Sequence, residues 1–581
     1  MDIIKGIAAS PGVAIGPALL HKPALLEIKH DKLPPEAAEG ELARLKTAYE
    51  KSRADLEELE KQLKETIGPD YARVIDAHKT MMEDPHFKSL IKNKIQKDRL
   101  PAESAVLLAA QEISVSFDSL SDEFFKERKN DVTDVAKRLI NNLAGGARYN
   151  LEIASAPSVL VAHNLLPSDT LNLKVNNFIA FVTDIGGKTS HSALLAQSLE
   201  IPAVVGSSTS SKAIKNGDTV IVDGESGAVI VNPDAETLAK YKKIQKEIKR
   251  TEVLLKTIND LPFLTTDGKH VRMMINYDPR LDSKESKKLK TEGVGLVRTE
   301  FLFLDRAVPP SENEQFDIYL ATAKKFDMRP VHIRLADLGG DKVHTLNLGE
   351  YKDELNPFMG LRGVRILLKY PTLLQTQLRA IIRAAAETPA QIKIIVPMVS
   401  CIEEVLAVKQ VFNETLAALH AQGIVPKNKI DYGIMVEVPS AAFALDSMLG
   451  EIDFISIGTN DLIQYMIAVD RMNQDVAALY DPYHPGFIRM LSHIIQTCAR
   501  RNKSAAVCGE IASDPAIAPL LIGLGVNALS TSPRMFLRIK NRLRSVSYEA
   551  CVNLAKASLL ANNSQDIKKL SAALLEPGIT E

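Results

Sequence analysis

The segment Phe454-Ile455-Ser456-Ile457-Gly458-Thr459-Asn460-Asp461-Leu462 decides the fold. Its first four residues form a short apolar run with β-branched side chains, which is typical of a strand buried on both faces. Gly458 ends the run, and the polar side chains of Asn460 and Asp461 follow directly. These two residues stand either at a functional strand end or simply at the cap of the next helix.

The same rhythm of apolar run and helical segment recurs from residue 270 to the end of the chain. The runs are Val271–Tyr277, Gly293–Thr299, Val331–Ala336, Ile392–Met398, Gly433–Val438, Phe454–Ile457, Ala505–Cys508 and Ala528–Thr531. About eight strand–helix units in roughly 300 residues predict a (β/α)8 barrel of the TIM type. A doubly wound open sheet is the alternative. In a barrel, the chemistry is expected at the carboxyl ends of the strands.

Charged and polar side chains end these runs or follow them, with Arg362 and Arg365 after Asn356-Pro357-Phe358 and Arg471 a short way beyond Asp461. They are Arg298, Arg334, Arg362, Arg365, Glu437, Asn460, Asp461, Arg471, Cys508 and Glu510. Guanidinium groups match phosphate and carboxylate, and Glu437 with Asp461 could bind Mg²⁺ together with substrate oxygens and water. Taken singly, each arginine could form a surface ion pair, and Cys508 could be a small buried hydrophobe. Their recurrence at successive strand ends predicts a site for a polyanion.

A second candidate site lies at Gly186-Gly187-Lys188-Thr189-Ser190-His191. The two glycines follow the apolar run Phe178–Val182, and the Ala/Leu-rich segment after them favours a helix with His191 in its first turn. Unpaired N–H groups and the helix dipole would stabilise a dianion on the imidazole, which is itself a nucleophile near neutral pH. The structural alternative is a packed surface histidine on a glycine-rich turn.

The N-terminal half combines a small α/β unit with long charged helices. Strand-like residues 1–20 precede a helical seam formed by Leu42, Leu45, Tyr49, Ser52, Leu56, Leu59 and Leu63. Further helices are predicted over Tyr71–Met82, Ala102–Phe117 and Val132–Leu143, and this block is either an ordinary bundle or a docking surface for a protein. Short β-rich runs return over 158–231, and the N-terminal strand is expected to complete their sheet. A helix over Asp234–Asp260 is predicted as a linker.

Composition excludes several classes of partner. A formal net charge of −1 gives no reason to expect nucleic acid or a membrane surface. No apolar run has the length of a membrane span, and the first residues lack the apolar core of a signal peptide. The four cysteines have no disulfide-framework spacing, so a reducing cytoplasm is expected.

With both candidate sites in view, the chain resembles enzyme I of the phosphoenolpyruvate:sugar phosphotransferase system over essentially its whole length. The most specific segments are GGKTSH (186–191), LVRTEFLF (296–303), DLGGDK (337–342), NPFMGLR (356–362), SIGTNDL (456–462), AVDR (468–471) and VCGE (507–510). The resemblance implies a phosphohistidine α/β domain (1–22 and 145–231) with an inserted helical subdomain (23–144). A linker helix (232–262) and a phosphoenolpyruvate-binding, dimerising barrel (263–581) follow.

The resemblance also implies residue roles. His191 corresponds to the phosphorylated histidine, Thr170 to its hydroxyl partner and Cys508 to the proton donor for the enolate carbon. The substrate-binding residues it implies are Arg298, Arg334, Arg362, Asn460, Asp461 and Arg471. Glu437 and Asp461 correspond to the Mg²⁺ ligands, with Mn²⁺ as an alternative ion. The helical subdomain corresponds to the docking surface for the carrier protein HPr.

Two departures from the family pattern bear on the predicted phosphohistidine site around His191. Gln197 stands where the family usually has Arg, and Leu166 stands where it commonly has Thr.

Two other functions remain open from the sequence. One is a nucleotide-dependent relative such as phosphoenolpyruvate synthase or pyruvate phosphate dikinase, although no Walker-type loop is present. The other is a regulatory phosphorelay protein, so the choice between sugar uptake and regulation stays open.

Overall fold

The computed structural model describes residues 1–21, 32–66, 75, 78–118, 123–145, 156–165, 177–187, 192–193, 196, 201–279, 286, 288–304, 306, 308–339, 356–471, 473 and 476–574. They form two compact units, Met1–Glu252 and Val253–Glu581. The finer domain boundaries given above stay predictions.

The first unit contains an eight-stranded mixed sheet. Its strands are β1 (Asp2–Lys5), β2 (Ile7–Ser10), β3 (Val13–His21), β4 (Ser158–Ala162), β5 (Phe178–Thr183), β6 (Ala203–Val205), β7 (Thr219–Asp223) and β8 (Ala228–Val231). Their order is β1-β8-β7-β3-β4-β5-β6-β2. Because β1, β2 and β3 pair with strands from the far side of the helical block, the predicted completion of this sheet by the N-terminus is confirmed.

The other helices predicted for the first unit are present, whereas the prediction over Tyr71–Met82 lies partly outside the described residues. The helices described in this unit are Ala38–Thr66, Pro85–Gln96, Ala102–Asp118, Glu123–Leu143, Ser210–Ala213 and Ala235–Thr257, with a 3-10 turn at Pro35–Ala37. Leu45, Leu56 and Leu59 are buried, as the seam predicts, whereas the side chain of Leu63 lies outside the described residues. The helix Pro85–Gln96 was not predicted. It begins at Asp84, whose carboxylate accepts a hydrogen bond from the Phe87 N–H.

The second unit is a closed barrel of eight parallel strands. They are β9 (Arg272–Tyr277), β10 (Val294–Val297), β11 (Val331–Arg334), β12 (Ile392–Val396), β13 (Asp431–Val436), β14 (Phe454–Ile457), β15 (Ser504–Val507) and β16 (Ala528–Thr531). Each strand pairs in parallel with the next, and β16 pairs with β9 to close the ring. All eight predicted runs are strands, and the open-sheet alternative is wrong.

Helices surround the barrel and cover the outer faces of its strands. They are Glu312–Lys325, Val364–Lys369, Pro371–Glu387, Ile402–Ala421, Pro439–Phe443, Leu445–Met448, Thr459–Ile467, Pro485–Arg500, Ala518–Gly523, Pro533–Arg544, Tyr548–Leu560 and Ser564–Ala573. Short 3-10 turns lie at Glu300–Leu302, Pro357–Met359, Ala477–Leu479 and Glu510–Ser513. Every helix in the described part of the chain is too short or too polar to cross a membrane.

The barrel interior is packed rather than open. Leu296, Ile395, Met435, Phe454 and Cys508 form one buried cluster, although they come from or directly follow five different strands. Only inward-pointing side chains of a closed ring can meet in this way. The cluster fills the interior below the carboxyl ends of the strands, where the polar side chains stand.

Inside the barrel, the imidazole of His332 on β11 makes the fold sensitive to acid. Its ring lies 5.0 Å from the Phe454 ring, and its Nδ1 has no hydrogen-bond partner among the described residues. Burial, with Lys393 and Arg272 nearby, lowers the pKa of His332 from 6.5 to about 3. The unfolded chain therefore binds the proton first as the pH falls, so stability is full above about pH 6.5 and is lost toward pH 3.

We predict that His332→Gln flattens this acid limb. Between pH 7 and pH 5 the wild-type barrel should lose about 2 kcal/mol more unfolding free energy than the variant, because only the wild type takes up this proton on unfolding. The measurement is labelling of the buried cysteines by 4,4′-dithiodipyridine across a urea series. Cys498, Cys508 and Cys551 are all buried in the barrel unit, so they report its unfolding. Equal pH dependence in both proteins would contradict the prediction.

Candidate functional site

A cavity of about 80 Å³ opens at the carboxyl ends of the barrel strands. Of the ten side chains predicted at the strand ends, the eight to which the resemblance gives a role line it, namely Arg298, Arg334, Arg362, Glu437, Asn460, Asp461, Arg471 and Cys508. The remaining lining residues are Leu296, Glu300, Asp337, Met435, Gly458 and Gly509. The structure therefore brings the predicted residues together, while the role of each stays a prediction.

Arg334 ends β11 and is buried in the wall of the cavity. Its Nη2 lies 2.8 Å from Oε1 of Glu300, and its Nη1 lies 3.7 Å from Oδ2 of Asp337. Burial opposes the charge of Arg334, but the carboxylates of Glu300 and Asp337 outweigh it and raise its pKa. The guanidinium is therefore a permanent cation whose orientation is fixed before any ligand arrives.

Arg362 is held more tightly still. Its Nε and Nη2 donate to the two carboxylate oxygens of Asp337 at 3.1 and 2.9 Å, the parallel arrangement that a guanidinium and a carboxylate favour. Nη1 and Nη2 each lie 3.3 Å from an oxygen of Asp461, and Nη1 also donates to the Tyr465 hydroxyl. The Phe358 ring lies 5.7 Å from the guanidinium carbon. Four side chains thus define one position for this cation.

Glu437 and Asp461 are the two oxygen-donor residues expected to hold a divalent cation. Glu437 directly follows β13, and its Oε1 accepts a hydrogen bond of 2.7 Å from the Met398 N–H. Burial and then the nearby charges of Asp461 and Asp337 raise the pKa of Glu437 to about 8. Burial and the neighbouring carboxylates thus disfavour the ionised form of Glu437, and a cation bound beside it would favour that form.

Glu437 and Asp461 are a better ligand set for Mg²⁺ than for a metal ion whose ligands are all protein side chains. Among the described residues, no group of three or more His, Cys, Asp or Glu side chains has metal-binding geometry. Mg²⁺ is commonly held by one or two carboxylates, with substrate oxygens and water completing its octahedron. Glu437 and Asp461 fit that requirement.

Glycines give the polar side chains room. A Cβ at position 458 would lie 2.5 Å from Oε2 of Glu437. A Cβ at position 509 would lie 1.8 Å from Oγ1 of Thr459 and 3.0 Å from Oδ1 of Asn460. The distances of 2.5 and 1.8 Å are far inside van der Waals contact, so Gly458 and Gly509 are needed for the close approach of the strand ends.

Cys508 lies at the bottom of the cavity with its thiol protonated. The side chain is buried, and its Sγ accepts a hydrogen bond of 3.2 Å from the Ser456 hydroxyl. Burial raises the pKa of the Cys508 thiol, although Ser456 and Arg334 act in the opposite direction. A thiol that keeps its proton near neutral pH is suited to donate it, rather than to act as a thiolate nucleophile.

The remaining predicted residues form the outer part of the cavity. Two hydrogen bonds with Glu510 fix the side chain of Asn460. Its Nδ2 donates to Oε1 of Glu510 at 3.0 Å, and its Oδ1 accepts from the Glu510 N–H at 2.9 Å. The Arg471 N–H donates to Oε1 of Gln464 at 3.4 Å, and Arg298 is exposed at the end of β10. Arg298 and Arg471 thus stand nearer to solvent than Arg334 and Arg362.

Sequence reasoning missed the residues that hold the arginines. Glu300 and Asp337 had no assigned role, and Asn276 was not considered. Asn276 accepts from Ser530 and donates to the Cys508 carbonyl oxygen, which fixes the strand end that carries the thiol. A usable signal was present, because a buried arginine requires a carboxylate partner.

Arg365, although predicted at a strand end, is absent from the cavity lining. Its Nη1 donates to the carbonyl oxygens of residues 359 and 360.

The predicted phosphohistidine site lies largely outside the described residues. His191, Thr170, Gln197 and Leu166 all fall outside them, so their roles remain predictions. The described neighbours agree with a strand followed by a turn. β5 ends at Thr183, and Gly186 has φ of 125°, which favours glycine.

Comparison with known proteins finds matches along most of the chain. Families described as PEP-utilising enzyme match in three parts: the N-terminal domain at residues 5–128, the mobile domain at 154–227 and the PEP-binding domain at 252–548. A protein of Geobacillus stearothermophilus named phosphoenolpyruvate-protein phosphotransferase is 39% identical over 97% of this chain and 96% of its own length. A protein of the same name from Listeria monocytogenes is 36% identical over 98% of both chains.

We predict that Glu300→Gln destabilises the barrel by about 3 kcal/mol, because the buried guanidinium of Arg334 loses a charged partner. The measurement is the urea midpoint for labelling of the buried cysteines. Asp446→Asn is the matched control, since it removes a carboxylate from the Asp446–Arg501 pair on the surface. Because that pair is exposed to water, its loss should leave the urea midpoint unchanged. Equal midpoints for wild type and Glu300→Gln would contradict this account.

Proposed function

The chain belongs to the phosphoenolpyruvate-protein phosphotransferases, the enzyme I family, and on that premise we propose that it transfers the phosphoryl group of phosphoenolpyruvate first to its own His191 and then to a histidine of the carrier protein HPr. Pyruvate is the other product. The reaction is the first step of sugar uptake by the phosphotransferase system or of its regulatory branch.

The observation that carries the proposal is the charge pattern of the barrel cavity. It holds four arginines and four carboxylates around a buried thiol. Arg334 and Arg362 are fixed by Glu300, Asp337 and Asp461, so their positive charges are in place before an anion arrives. Asp337, Asp461 and Tyr465 already accept from all five N–H groups of Arg362, so this arginine would bond a substrate oxygen only in exchange for one of them. A small acid that carries a phosphate and a carboxylate matches this arrangement.

The formal charges of the cavity also explain why a divalent cation is needed. Four arginines face four carboxyl groups, of which Glu437 is largely protonated near neutral pH because its pKa is raised to about 8. Four guanidinium groups against three ionised carboxylates leave the empty cavity with about one positive charge, whereas phosphoenolpyruvate brings about three negative charges. Glu437 and Asp461 would hold Mg²⁺, which when bound supplies positive charge to the substrate oxygens and so lowers the barrier to attack by a nucleophile. Mn²⁺ has the same ligand preference and stays an alternative.

In the first half of the reaction, an imidazole nitrogen of His191 attacks phosphorus. The new N–P bond forms as the P–O bond to the enol oxygen breaks, and the electron pair of that bond leaves with the enolate. Arg334 and Arg362 stabilise the negative charge that is redistributed over the oxygens. His191 belongs to the first unit, so this step requires the histidine to reach the barrel cavity.

In the second half, the enolate becomes pyruvate. Its terminal carbon takes the proton of the Cys508 thiol, which leaves a thiolate near Arg334 and the Ser456 hydroxyl. Water then returns a proton to Cys508. The raised pKa of this thiol keeps it protonated at the start of each cycle.

The names of the relatives argue against one of the two alternatives left by the sequence, the nucleotide-dependent enzyme. The relatives cover nearly the whole chain and are named phosphoenolpyruvate-protein phosphotransferases, which favours that activity over a nucleotide-dependent synthase or dikinase. Docking of HPr to the helical subdomain (23–144), dimerisation through the barrel and a cytoplasmic location belong to the same proposal. The choice between sugar uptake and regulation depends on the carriers that the cell provides.

The direct test is transfer of label from radiophosphate-labelled phosphoenolpyruvate to the wild-type chain and to His191→Ala, with and without Mg²⁺. We expect acid-labile label on the wild type only, dependent on the metal, because phosphohistidine is formed at position 191. Added HPr should then remove the label from the wild type. Labelling of His191→Ala, or no labelling of the wild type, would contradict the proposed function.

The role of Cys508 predicts a specific defect in proton transfer. In D₂O, the wild-type enzyme with Mg²⁺ and pyruvate should exchange the methyl hydrogens of pyruvate, as followed by proton NMR. Cys508→Ser should slow this exchange by about 100-fold, because the less acidic hydroxyl donates and accepts the proton poorly. Cys401→Ser is the matched control, since Cys401 lies outside the cavity lining. Exchange by Cys508→Ser at the wild-type rate would exclude the thiol as the proton donor.

A further inference from the structure

A second cavity, of about 490 Å³, lies at the opposite end of the barrel. Its wall includes Tyr432 at the start of β13, Asp453 just before β14 and Lys503 just before β15, which places it at the amino ends of these strands. The helix Ile402–Ala421 and the connection 425–430 supply the other walls. It shares no lining residue with the catalytic cavity and has a volume typical of a small-molecule site.

The charged groups around this cavity leave an excess of positive charge. Four lysines line it against two carboxylates, Glu451 and Asp453. Lys409 lies 3.0 Å from an oxygen of Glu451, and Lys429 pairs with Asp453 at 2.6 Å. The lining lysines therefore exceed the lining carboxylates by two, although Asp453 also attracts Lys503 and Lys429 also lies 3.6 Å from Asp431. The two lysines that form no salt bridge carry this excess.

Those two lysines are Lys427 and Lys503. Lys427 donates to the Glu387 carbonyl oxygen at 3.2 Å, and Lys503 donates to the Ile452 carbonyl oxygen at 2.6 Å. Neither lysine forms a salt bridge within the described part of the chain. A carbonyl oxygen orients an ammonium group but does not neutralise it, so both keep a full charge that an anion can meet.

The floor of the cavity is apolar and aromatic. Phe412 and Tyr432 lie with their ring centroids 6.0 Å apart and their planes at 14°. Leu416, Val425 and Ile430 complete the apolar wall. The Tyr432 hydroxyl donates to the Val405 carbonyl oxygen at 2.8 Å, which fixes the ring. A flat hydrocarbon body would contact this floor while its charged end faced the lysines.

Hydrogen bonds hold the walls in place, so the cavity is preformed. The Lys427 N–H donates to the Ala385 carbonyl oxygen at 3.1 Å, and the Asn428 side-chain amide donates to the Pro389 carbonyl oxygen at 2.7 Å. These bonds tie the connection 425–430 to the end of the preceding helix–strand unit. On the other side, Lys409 bonds both the carbonyl and the carboxylate of Glu451.

We propose that this cavity, named here the basal cavity and defined by Lys409, Phe412, Leu416, Val425, Lys427, Tyr432 and Lys503, is a binding site for a small organic anion with an aromatic body. The two uncompensated lysines recognise a carboxylate, sulfonate or phosphate, and the aromatic floor recognises the planar body. Ligand binding here is independent of phosphoenolpyruvate, because the two cavities share no residue.

The test uses 8-anilinonaphthalene-1-sulfonate, a fluorescent aromatic anion, titrated against the full chain. We expect one saturable site per chain, unaffected by saturating phosphoenolpyruvate with Mg²⁺. The double variant Lys427→Gln/Lys503→Gln should weaken binding by about tenfold, which corresponds to two exposed charge pairs. The same double variant should weaken binding of the uncharged probe N-phenyl-1-naphthylamine much less, because this probe lacks the sulfonate that the lysines recognise.

Two further variants localise the site. Val425→Asp places a negative charge at the exposed mouth without touching the lysine hydrogen bonds, and should also weaken binding of the anion. Lys324→Gln, at the end of the helix Glu312–Lys325, removes a lysine charge outside the cavity lining and should leave binding unchanged. The proposal is overturned by the absence of saturable binding, by displacement of the dye by phosphoenolpyruvate, or by unchanged affinity in both cavity variants.

Discussion

The paired hydrogen bonds between Arg362 and Asp337 are the interaction on which the catalytic end of the barrel depends. They bring a cation and an anion out of water, which is costly unless both are fully bonded. Asp461 and Tyr465 complete the bonding of the guanidinium, and Glu300 does the same for the neighbouring Arg334. The result is a rigid set of charges at the mouth of a closed strand ring.

This arrangement suits a site that binds an anion with its cations already held in position. An arginine that is already oriented pays no conformational entropy when its ligand arrives, and it stabilises developing charge with little reorganisation. The same carboxylates keep the empty site close to neutral, so the cavity does not accumulate an excess of positive charge. Substrate and cation are therefore expected to bind together, since each supplies the charge that the other needs.

Sequence predicted the barrel well because its parallel strands are buried on both faces. Runs such as Ile392–Met398 are short, apolar and rich in β-branched residues, and polar side chains follow them at the functional end. The positions of Glu437, Asp461 and Cys508 around one cavity follow from this rule.

The carboxylate partners of the buried arginines could not be predicted from the sequence, because Glu300 and Asp337 meet the arginines only after the strand ring closes. The basal cavity was equally hidden, since it is formed by separate turns around residues 425–430 and 450–453.

The most direct test of this account is a double-mutant cycle on Asp337 and Arg362, with kcat/KM for phosphoenolpyruvate as the readout. If Asp337 acts by holding Arg362, then Asp337→Asn and Arg362→Lys will each lower kcat/KM and the double variant will be little worse than the more damaging single one. The coupling energy should reach about 2 kcal/mol. Losses that simply multiply, with no coupling, would show that the two residues act separately and would contradict the account.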